Sequence, residues 1–372
     1  MNVINFHVTN SCNYRCAYCF GKFPNKDELP FERACKIIDN IALYFSRAGI
    51  TGSRINLAGG EPLLYSYLDE LIDYISAYGI KVSIITNGSL LTEERIAAWK
   101  DKVYCIGLSI DSASDDTNLS IGRCYNDNAL SVKRAINIAS AIHRNGIRLK
   151  INTVVSKFNI NEDLTKLYQR LNPGKLKLLQ VELIEGINDN ARDLAITDKE
   201  FNAFFTRHKH CCPKTVCESS SNLENSYLMI NPLGQFQLND SGRYEIYGNC
   251  LEEQLDVILS RAPIRIDKFN SRYENNGSQN INKEFYIFGG HATWIKEIKK
   301  RLKNARFFKG GDLRSLDVIR NADEIWIQPN AISHSFFGKV LDAARTNGIP
   351  VHYFSYAGTK KCLEQLYLEA LS

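Results

Sequence analysis

The sequence predicts an α/β protein: a partial barrel of six βα units, an irregular α+β extension, and a second, small α/β domain. Three observations carry this. Short β-type runs alternate with helically spaced stretches through residues 1–185. The alternation lapses over 186–272. It restarts at Glu284, beyond NSRYENNGSQNINK (270–283), a polar, asparagine-rich stretch that reads as a linker. Alternating strands and helices make parallel sheets with crossover helices, and barrels of this kind carry their chemistry at the C-terminal ends of the strands.

The elements follow in order. VINFHV (3–8) reads as strand one, and FERACKIIDNIALYFSRAG (31–49) as a helix ending at Gly49. RINLA (54–58) is strand two, running into a glycine pair, and 64–77 has helical spacing. KVSIIT (81–86) is strand three; its helix, 92–99, opens at a capping threonine followed by glutamate. VYCIGLSI (103–110) is strand four, with a helix over 129–145. IRLKINTVV (147–155) is strand five, with a helix over 161–171, and LKLLQVELI (176–184) is strand six. Beyond lie a helix near 199–208 and a hairpin-like pair, SYLMINPLGQFQLN (226–239). In the second domain EFYIFGG (284–290) is strand then turn, followed by a helix to about 302. EIWIQP (324–329) and PVHYFS (350–355) are further strands with a helix between. The expected division is 1–272, a linker over 273–283, and 284–372, the last a Rossmann-like unit of ordinary domain size.

Composition bounds the function. Of 372 residues 44% are hydrophobic and 23% charged, enough for a core and, by length, two or three domains. The net charge of +5 is too mild for a duplex nucleic-acid footprint and fits local anion sites instead. No apolar run reaches the ~18 residues of a membrane span, and MNVINFHVTN lacks the regions of a signal peptide. The expected compartment is the reducing cytoplasm. There eleven cysteines, an odd number, serve as thiols or metal ligands.

SCNYRCAYCF (11–20) sets Cys12, Cys16 and Cys19 in the spacing C-x3-C-x2-C. A closed zinc site needs four ligands, and the next cysteine, Cys35, sits in a helical pattern. Three thiolates on a tight loop suit a [4Fe–4S] cube whose fourth iron is open to a small chelating ligand. Zinc and ordinary buried thiols stay as alternatives on this motif alone. LAGGEPLL (57–64), at the end of strand two, adds glycines that let a ligand approach the backbone, and Glu61, a carboxylate suited to an amino group.

The two motifs together, in this order, resemble the radical S-adenosylmethionine (SAM) superfamily, so the barrel expected is the partial (βα)6 radical SAM barrel. Further segments narrow this: ITNGSLL (85–91), LSIDSASDDTNLSIGR (108–123), LKINTVVSKFNINEDL (149–164), LIEGIND (183–189), TRHKH (206–210) and ENSYLMI (224–230). Over about residues 5–272 these resemble the viperins, most closely the prokaryotic ones. The resemblance implies a [4Fe–4S] cluster and SAM as cofactors, and an external electron donor of flavodoxin or ferredoxin type. It implies that a 5′-deoxyadenosyl radical removes the ribose 4′-hydrogen of a nucleoside triphosphate and that the 3′-hydroxyl then leaves. The product is a 3′-deoxy-3′,4′-didehydro nucleotide, a chain terminator that serves antiviral, here anti-phage, defence. Neither nucleic acid nor a membrane is an expected partner.

Residue by residue, the resemblance implies that Cys12, Cys16 and Cys19 ligate the cluster. It puts Gly59, Gly60, Glu61, Asn87, Ser109 and Arg123 at the SAM site, with Arg123 on the methionine carboxylate, which a guanidinium fork suits. It puts Asn5, Arg54, Lys150, Asn152, Arg207, Lys209 and Tyr227 at the nucleotide, with Tyr227 and Lys150 in the catalytic step. Lys150 and Asn152, at i and i+2 on a strand, share one face.

The chain departs from animal viperin in four places. Arg54 replaces a lysine, keeping charge but changing reach. QFQLNDSGR (235–243), near the family's base pocket, is one residue longer, with Asp240 near an expected cysteine, which leaves the base open. The N-terminal amphipathic helix and the aromatic C-terminal tail have no counterpart. HCCPKTVC (210–217) with Cys250 offers a rival reading, a peptide-modifying radical SAM enzyme with a second cluster. Ordinary thiols are preferred, because adjacent Cys211 and Cys212 would not both reach one metal. FGGH (288–291), KGGD (309–312) and NAISH (330–334) make the second domain resemble a family of small uncharacterised α/β domains. Gly289, Gly290 and His291 form a turn where such folds bind ligands, His334 opens a helix, and the ligand or partner is unknown.

Overall fold

The computed structural model describes residues 1–21, 28–274, 285–301, 305–308, 316, 318–322, 324–329, 332–355, 357–359, 361–362 and 365. The chain divides into two compact units, Met1–Arg272 and Tyr273–Ser372. Residues 275–283 of the expected linker, the KGGD segment, and Asn330 and Ala331 of NAISH lie outside the described residues.

The first unit is built on one ten-stranded sheet. Its central strands are β1 (Val3–Thr9), β2 (Arg54–Gly59), β3 (Lys81–Thr86), β4 (Val103–Ser109), β5 (Arg148–Val155) and β6 (Lys175–Gln180), parallel and adjacent in chain order. β7 (Thr215–Glu218) extends the β6 edge in parallel. On the other edge β8 (Met229–Ile230) pairs parallel to β1, followed by antiparallel β9 (Gln235–Asp240) and β10 (Arg243–Asn249). Five strands lie between β6 and β8, yet Lys177 of β6 touches Tyr227, two residues before β8. The sheet therefore curls into an open barrel.

Alternation along each strand sorts the side chains. Ile4, Phe6, Ile55, Leu57, Ile84, Ile106, Leu108, Ile151 and Leu178 are fully buried on the outer face. They pack beneath α1 (Phe31–Arg47), α2 (Leu68–Ala77), α3 (Glu93–Ala98), α5 (Val132–Arg144) and α6 (Thr165–Leu171). Each such side chain contributes about 1.5–3 kcal/mol of burial. The inner face keeps the polar partners Asn5, His7, Asn56, Asn152 and Lys177.

Local signals set most boundaries. Thr92 caps α3 by accepting from Arg95 N, and Thr197 with Glu200 forms a full capping box on α7 (Asp198–His208). Four points of the sequence reading need correction. A helix not expected, α4 (Asp115–Ile121), lies inside the 108–123 motif, capped by Ser114 and ended by left-handed Gly122. The sixth strand stops at Gln180, because Asn188 Oδ1 accepts from Ile184 N and draws the chain off the sheet. The helix expected from 161 starts at Thr165, and residues 273 and 274 close α9 (Ile266–Glu274), which follows α8 (Leu255–Arg261), instead of opening the linker.

The second unit is a parallel sheet, β12 (Ala305–Phe308), β11 (Phe285–Phe288), β13 (Glu324–Ile327), β14 (Val351–Tyr353) in spatial order. Phe285 and Ile287 face Trp294 and Ile298 of α10 (Ala292–Arg301), while Tyr286 and Phe288 cluster with Phe336 and Val340 of α11 (His334–Thr346). Two covered faces make it doubly wound, as expected; β12 is the strand the sequence reading lacked. Gly290, at φ 95°, lies under the Trp294 ring, where a β-carbon would collide at 2.5 Å.

Candidate active site

The three cysteines lie on the loop leaving β1, and three sides hold that loop. Arg15 N and Ala17 N donate to the carbonyls of Gly122 and Ile121 at the end of α4, at 3.1 and 2.8 Å. Gly60 N and Glu61 N donate to Thr9 O and Ser11 O, both at 2.8 Å, tying the end of β2 beside it. Asn188 Nδ2 donates to Tyr18 O at 2.9 Å. The backbones approach so closely that a β-carbon on Gly59 or Gly60 would strike Thr9 or Ser11. Gly122 is left-handed, φ +81°, and a β-carbon on it would lie 2.5 Å from Arg15 O. We expect Gly122→Ala to destabilise the fold by at least about 1–2 kcal/mol, the left-handed penalty alone, and to lower iron retention. Urea unfolding and an iron assay measure both.

All three thiols are free. Burial, then the charges of Glu61 and Cys19, pushes Cys12 up to about 11, against the Tyr14 N–H that its sulfur accepts; burial likewise lifts Cys16 to about 11. Thiolates here need positive charge within the loop, and an iron–sulfur cube supplies it. The donor set therefore fits the cluster.

Around the loop the residues expected at the SAM site meet through side chains. Asn87 Nδ2 donates to Asn13 Oδ1 at 2.9 Å, and Asn13 donates to Ser89, which returns to Asn87. Glu61 is buried, and its oxygens accept from Thr86 Oγ1 at 2.7 Å, Asn87 N at 2.8 Å and Leu63 N at 3.1 Å. Its carboxylate braces the β2 and β3 turns together. Arg123 is buried beside Cys16, with Nε 3.2 Å from Asp111 Oδ2 and Nη2 donating to Ser109 O at 2.6 Å. Asp111 also takes the Tyr18 hydroxyl and Val154 N. Asp111, Asn13 and Tyr18 were not singled out from the sequence.

Deeper in the barrel is a cationic layer. Asn5, whose Oδ1 accepts from Asn56 at 2.8 Å, marks one wall, with buried His7 beside it on β1, depressed to about 4 by burial. Lys150 and Asn152 of β5 share the inner face with Lys175 and Lys177 of β6. Gly107 makes room for them: a β-carbon there would lie 3.0 Å from Lys150 Cε and 3.2 Å from Asn152 Nδ2. Asn152 Oδ1 is buried with no hydrogen-bond partner among the described residues. Lys177 Nζ lies 2.8 Å from Glu218 Oε1, and Tyr227 OH touches both. Burial, then Lys150, holds Lys175 down at about 7; Glu218 opposes and Arg54 adds to the fall. Burial lowers Lys150 as well. Lys150, Lys175 and Lys177 thus lie around Glu218, with Arg54 beside Lys150 and Lys175. Lys175, Lys177 and Glu218 were missed, although K-x-K on strand six repeats the i, i+2 pattern of Lys150 and Asn152.

Arg207 and Lys209 are not part of this layer. Arg207 is exposed near the end of α7, donating to Ile160 O and Glu162 O at 3.2 and 2.8 Å, and Lys209 is the helix cap. The sequence reading put both at the nucleotide because it matched TRHKH, whose buried member is His208, held by Phe204 O and Leu164 N. Cys212 is buried with its thiol toward Pro173 O, and Asp240 accepts from Asn225 within the β9–β10 hairpin.

A cysteine loop after the first strand of a parallel half-barrel, braced by a GGEP turn, defines a radical SAM protein. The radical SAM superfamily model matches residues 6–171. The fold resembles Streptococcus suis SuiB bound to S-adenosylmethionine (TM-score 0.54, 15% identity, 82% of this chain and 76% of that one). It also resembles anSMEcpe with bound AdoMet and a peptide (TM-score 0.55, 14% identity, 72% and 83%). The chain carries a radical SAM domain, a class for which a [4Fe–4S] cluster and SAM are the characteristic cofactors.

The chain is 34% identical to the S-adenosylmethionine-dependent nucleotide dehydratase of Flammeovirga pacifica, over 72% of this chain and 93% of that protein. It is 35% identical to that of Lacinutrix mariniflava, of which it spans only 60%, and 31% identical to the dehydratase RSAD2 of Danio rerio, of which it spans 78%. It belongs to the S-adenosylmethionine-dependent nucleotide dehydratase family. Among the described residues no helix is long and apolar enough to cross a membrane.

Proposed function

We propose that this chain dehydrates a nucleoside triphosphate to its 3′-deoxy-3′,4′-didehydro analogue, as a cytoplasmic anti-phage enzyme fed by a flavodoxin- or ferredoxin-type electron donor. The observation that supports it most is the gathering of Arg54, Lys150, Lys175 and Lys177 inside one barrel, around Glu218 and Tyr227. Four cations converging on one barrel interior suit a polyanion, to which each can make a charge-assisted hydrogen bond. A triphosphate matches it; a peptide substrate carries no comparable charge.

In this reading Cys12, Cys16 and Cys19 hold the cluster, and Gly59, Gly60, Asn87, Ser109 and Arg123 line the SAM site. The bound cofactors supply the hydrogen-abstracting radical. Asn152 and the four cations hold the phosphates in the dry barrel, where each charged hydrogen bond is strong. Tyr227, Glu218 and Lys177 form a short path that moves a proton to the departing 3′-hydroxyl. A cavity of about 340 Å3, with an apolar wall of Val181, Leu183 and Ile196 and polar groups from Glu182, Asn239 and Ser241, takes the base. The second unit serves as an accessory sensing or partner-binding domain.

The test is to incubate the reduced, reconstituted enzyme separately with CTP, UTP, GTP and ATP. One of them should lose one water while 5′-deoxyadenosine accumulates in step. Deoxyadenosine forming no faster with any triphosphate than without would sink the proposal.

Lys175 gives the reading a pH signature. Unfolded, a lysine titrates near 10.4; here it titrates at about 7. Between those values the unfolded chain binds more protons, so stability rises with pH across that window. A bound triphosphate favours the protonated form. Binding at pH 8 should therefore take up a proton and weaken as pH climbs further. Calorimetry in two buffers of different ionisation enthalpy measures the uptake, which Lys175→Met should abolish.

A further inference from the structure

At the end of the barrel opposite the cysteine loop, the turns entering β3, β4 and β5 enclose a cleft of about 650 Å3. That is an ordinary ligand-site volume. It lies at the N-terminal ends of the strands, away from where such barrels do their chemistry.

The lining is cationic and partly ordered in advance. Tyr104 of β4 sits between Lys81, at the start of β3, and Arg148, at the start of β5. Lys81 Nζ lies 4.8 Å from its ring centroid and Arg148 Cζ 4.5 Å, and Arg148 also donates to the Tyr104 hydroxyl. One ring thus fixes two charges by cation–π contact. Lys102 and Arg144 also line the cleft but are spent on Asp73 and Glu93, at 2.6 and 2.8 Å. Lys81, Lys100 and Arg148 have no carboxylate partner among the described residues, and Asp101 is the one acidic side chain in the lining.

We propose that this cleft binds an oligophosphate, held between Lys81, Arg148 and Lys100, as a second anion site separate from the barrel. Two cations at fixed spacing on one ring, with a third beside them, fit a chain of phosphates better than a single carboxylate. Free polyphosphate and the phosphate tail of a nucleotide share this chemistry.

The test is calorimetric titration of the full-length holoenzyme with sodium tripolyphosphate and, in a second arm, with a nucleoside triphosphate. The wild type should bind one equivalent more than the Lys81→Ala/Arg148→Ala variant, with affinity falling as salt rises. Turnover of that variant should stay within about two-fold of wild type, since both residues are exposed at the entry ends of β3 and β5 and held on Tyr104. Only the difference between the two proteins counts, so the outcome does not depend on what the barrel binds. The arm with the tighter extra equivalent identifies the source. Lys100→Glu, on an exposed residue that does not touch Tyr104, should weaken that equivalent ten-fold or more and guards against a packing artefact. Equal stoichiometry for all three proteins would overturn the proposal, as would preference for a single-stranded oligonucleotide over tripolyphosphate.

Discussion

Lys177→Ala should lower kcat/KM for the triphosphate about ten- to a hundred-fold, while Arg207→Ala leaves it near the wild-type value. A hydrogen bond to a charged group contributes about 1.5–3 kcal/mol, and each 1.4 kcal/mol is about tenfold. Lys177 sits on the inner face of β6, beside Glu218 and Tyr227. Its loss removes a phosphate partner and leaves Glu218 beside Tyr227 without its 2.8 Å cation. Arg207 is committed to two backbone carbonyls on the outer layer. Steady-state kinetics of the two variants decide between the barrel layer and the TRHKH segment as the phosphate site. Equal losses would return the site to α7.

Cys16→Ala should abolish turnover outright. Iron should fall from about four per chain, the content of one cube, towards zero, with loss of the iron–thiolate absorption. The mechanism is the donor count. Cys12 and Cys16 are half-buried thiols pushed up to about 11, and a shared metal charge would hold them as thiolates. Removing one leaves a two-point hold. Cys212→Ala should keep full iron, because its thiol faces Pro173 O within the core. Iron lost from both variants would contradict the loop as the cluster site.

The barrel was legible because its two periodicities are plain. Strand runs such as KVSIIT alternate with helices whose caps, Thr92 among them, announce themselves. The cluster loop was legible because three cysteines in ten residues have few other uses. What escaped depended on tertiary pairing. α4 carried its signals, Ser114 before Asp115 and Asp116 with Gly122 at the end, but they lay inside a stretch taken as a loop motif. The overrun of strand six came from Val181 and Ile184, buried in a loop, so apolar character outlasted the sheet. The bracing by Glu61 escaped because its three donors come from the turns after β2 and β3, which only folding brings together. Lys175 and Lys177 were passed over because a strand buried on one face hides which charges point inward until its neighbours are known.

The central claim is that a triphosphate held by the cationic layer loses its ribose 4′-hydrogen. The direct measurement uses the triphosphate that turns over, deuterated at the ribose 4′ position, and reads the mass of the 5′-deoxyadenosine formed. The account predicts one deuterium carried into 5′-deoxyadenosine, in step with loss of water from the nucleotide. Unlabelled 5′-deoxyadenosine alongside dehydrated product, or label arriving only from another ribose position, would contradict it.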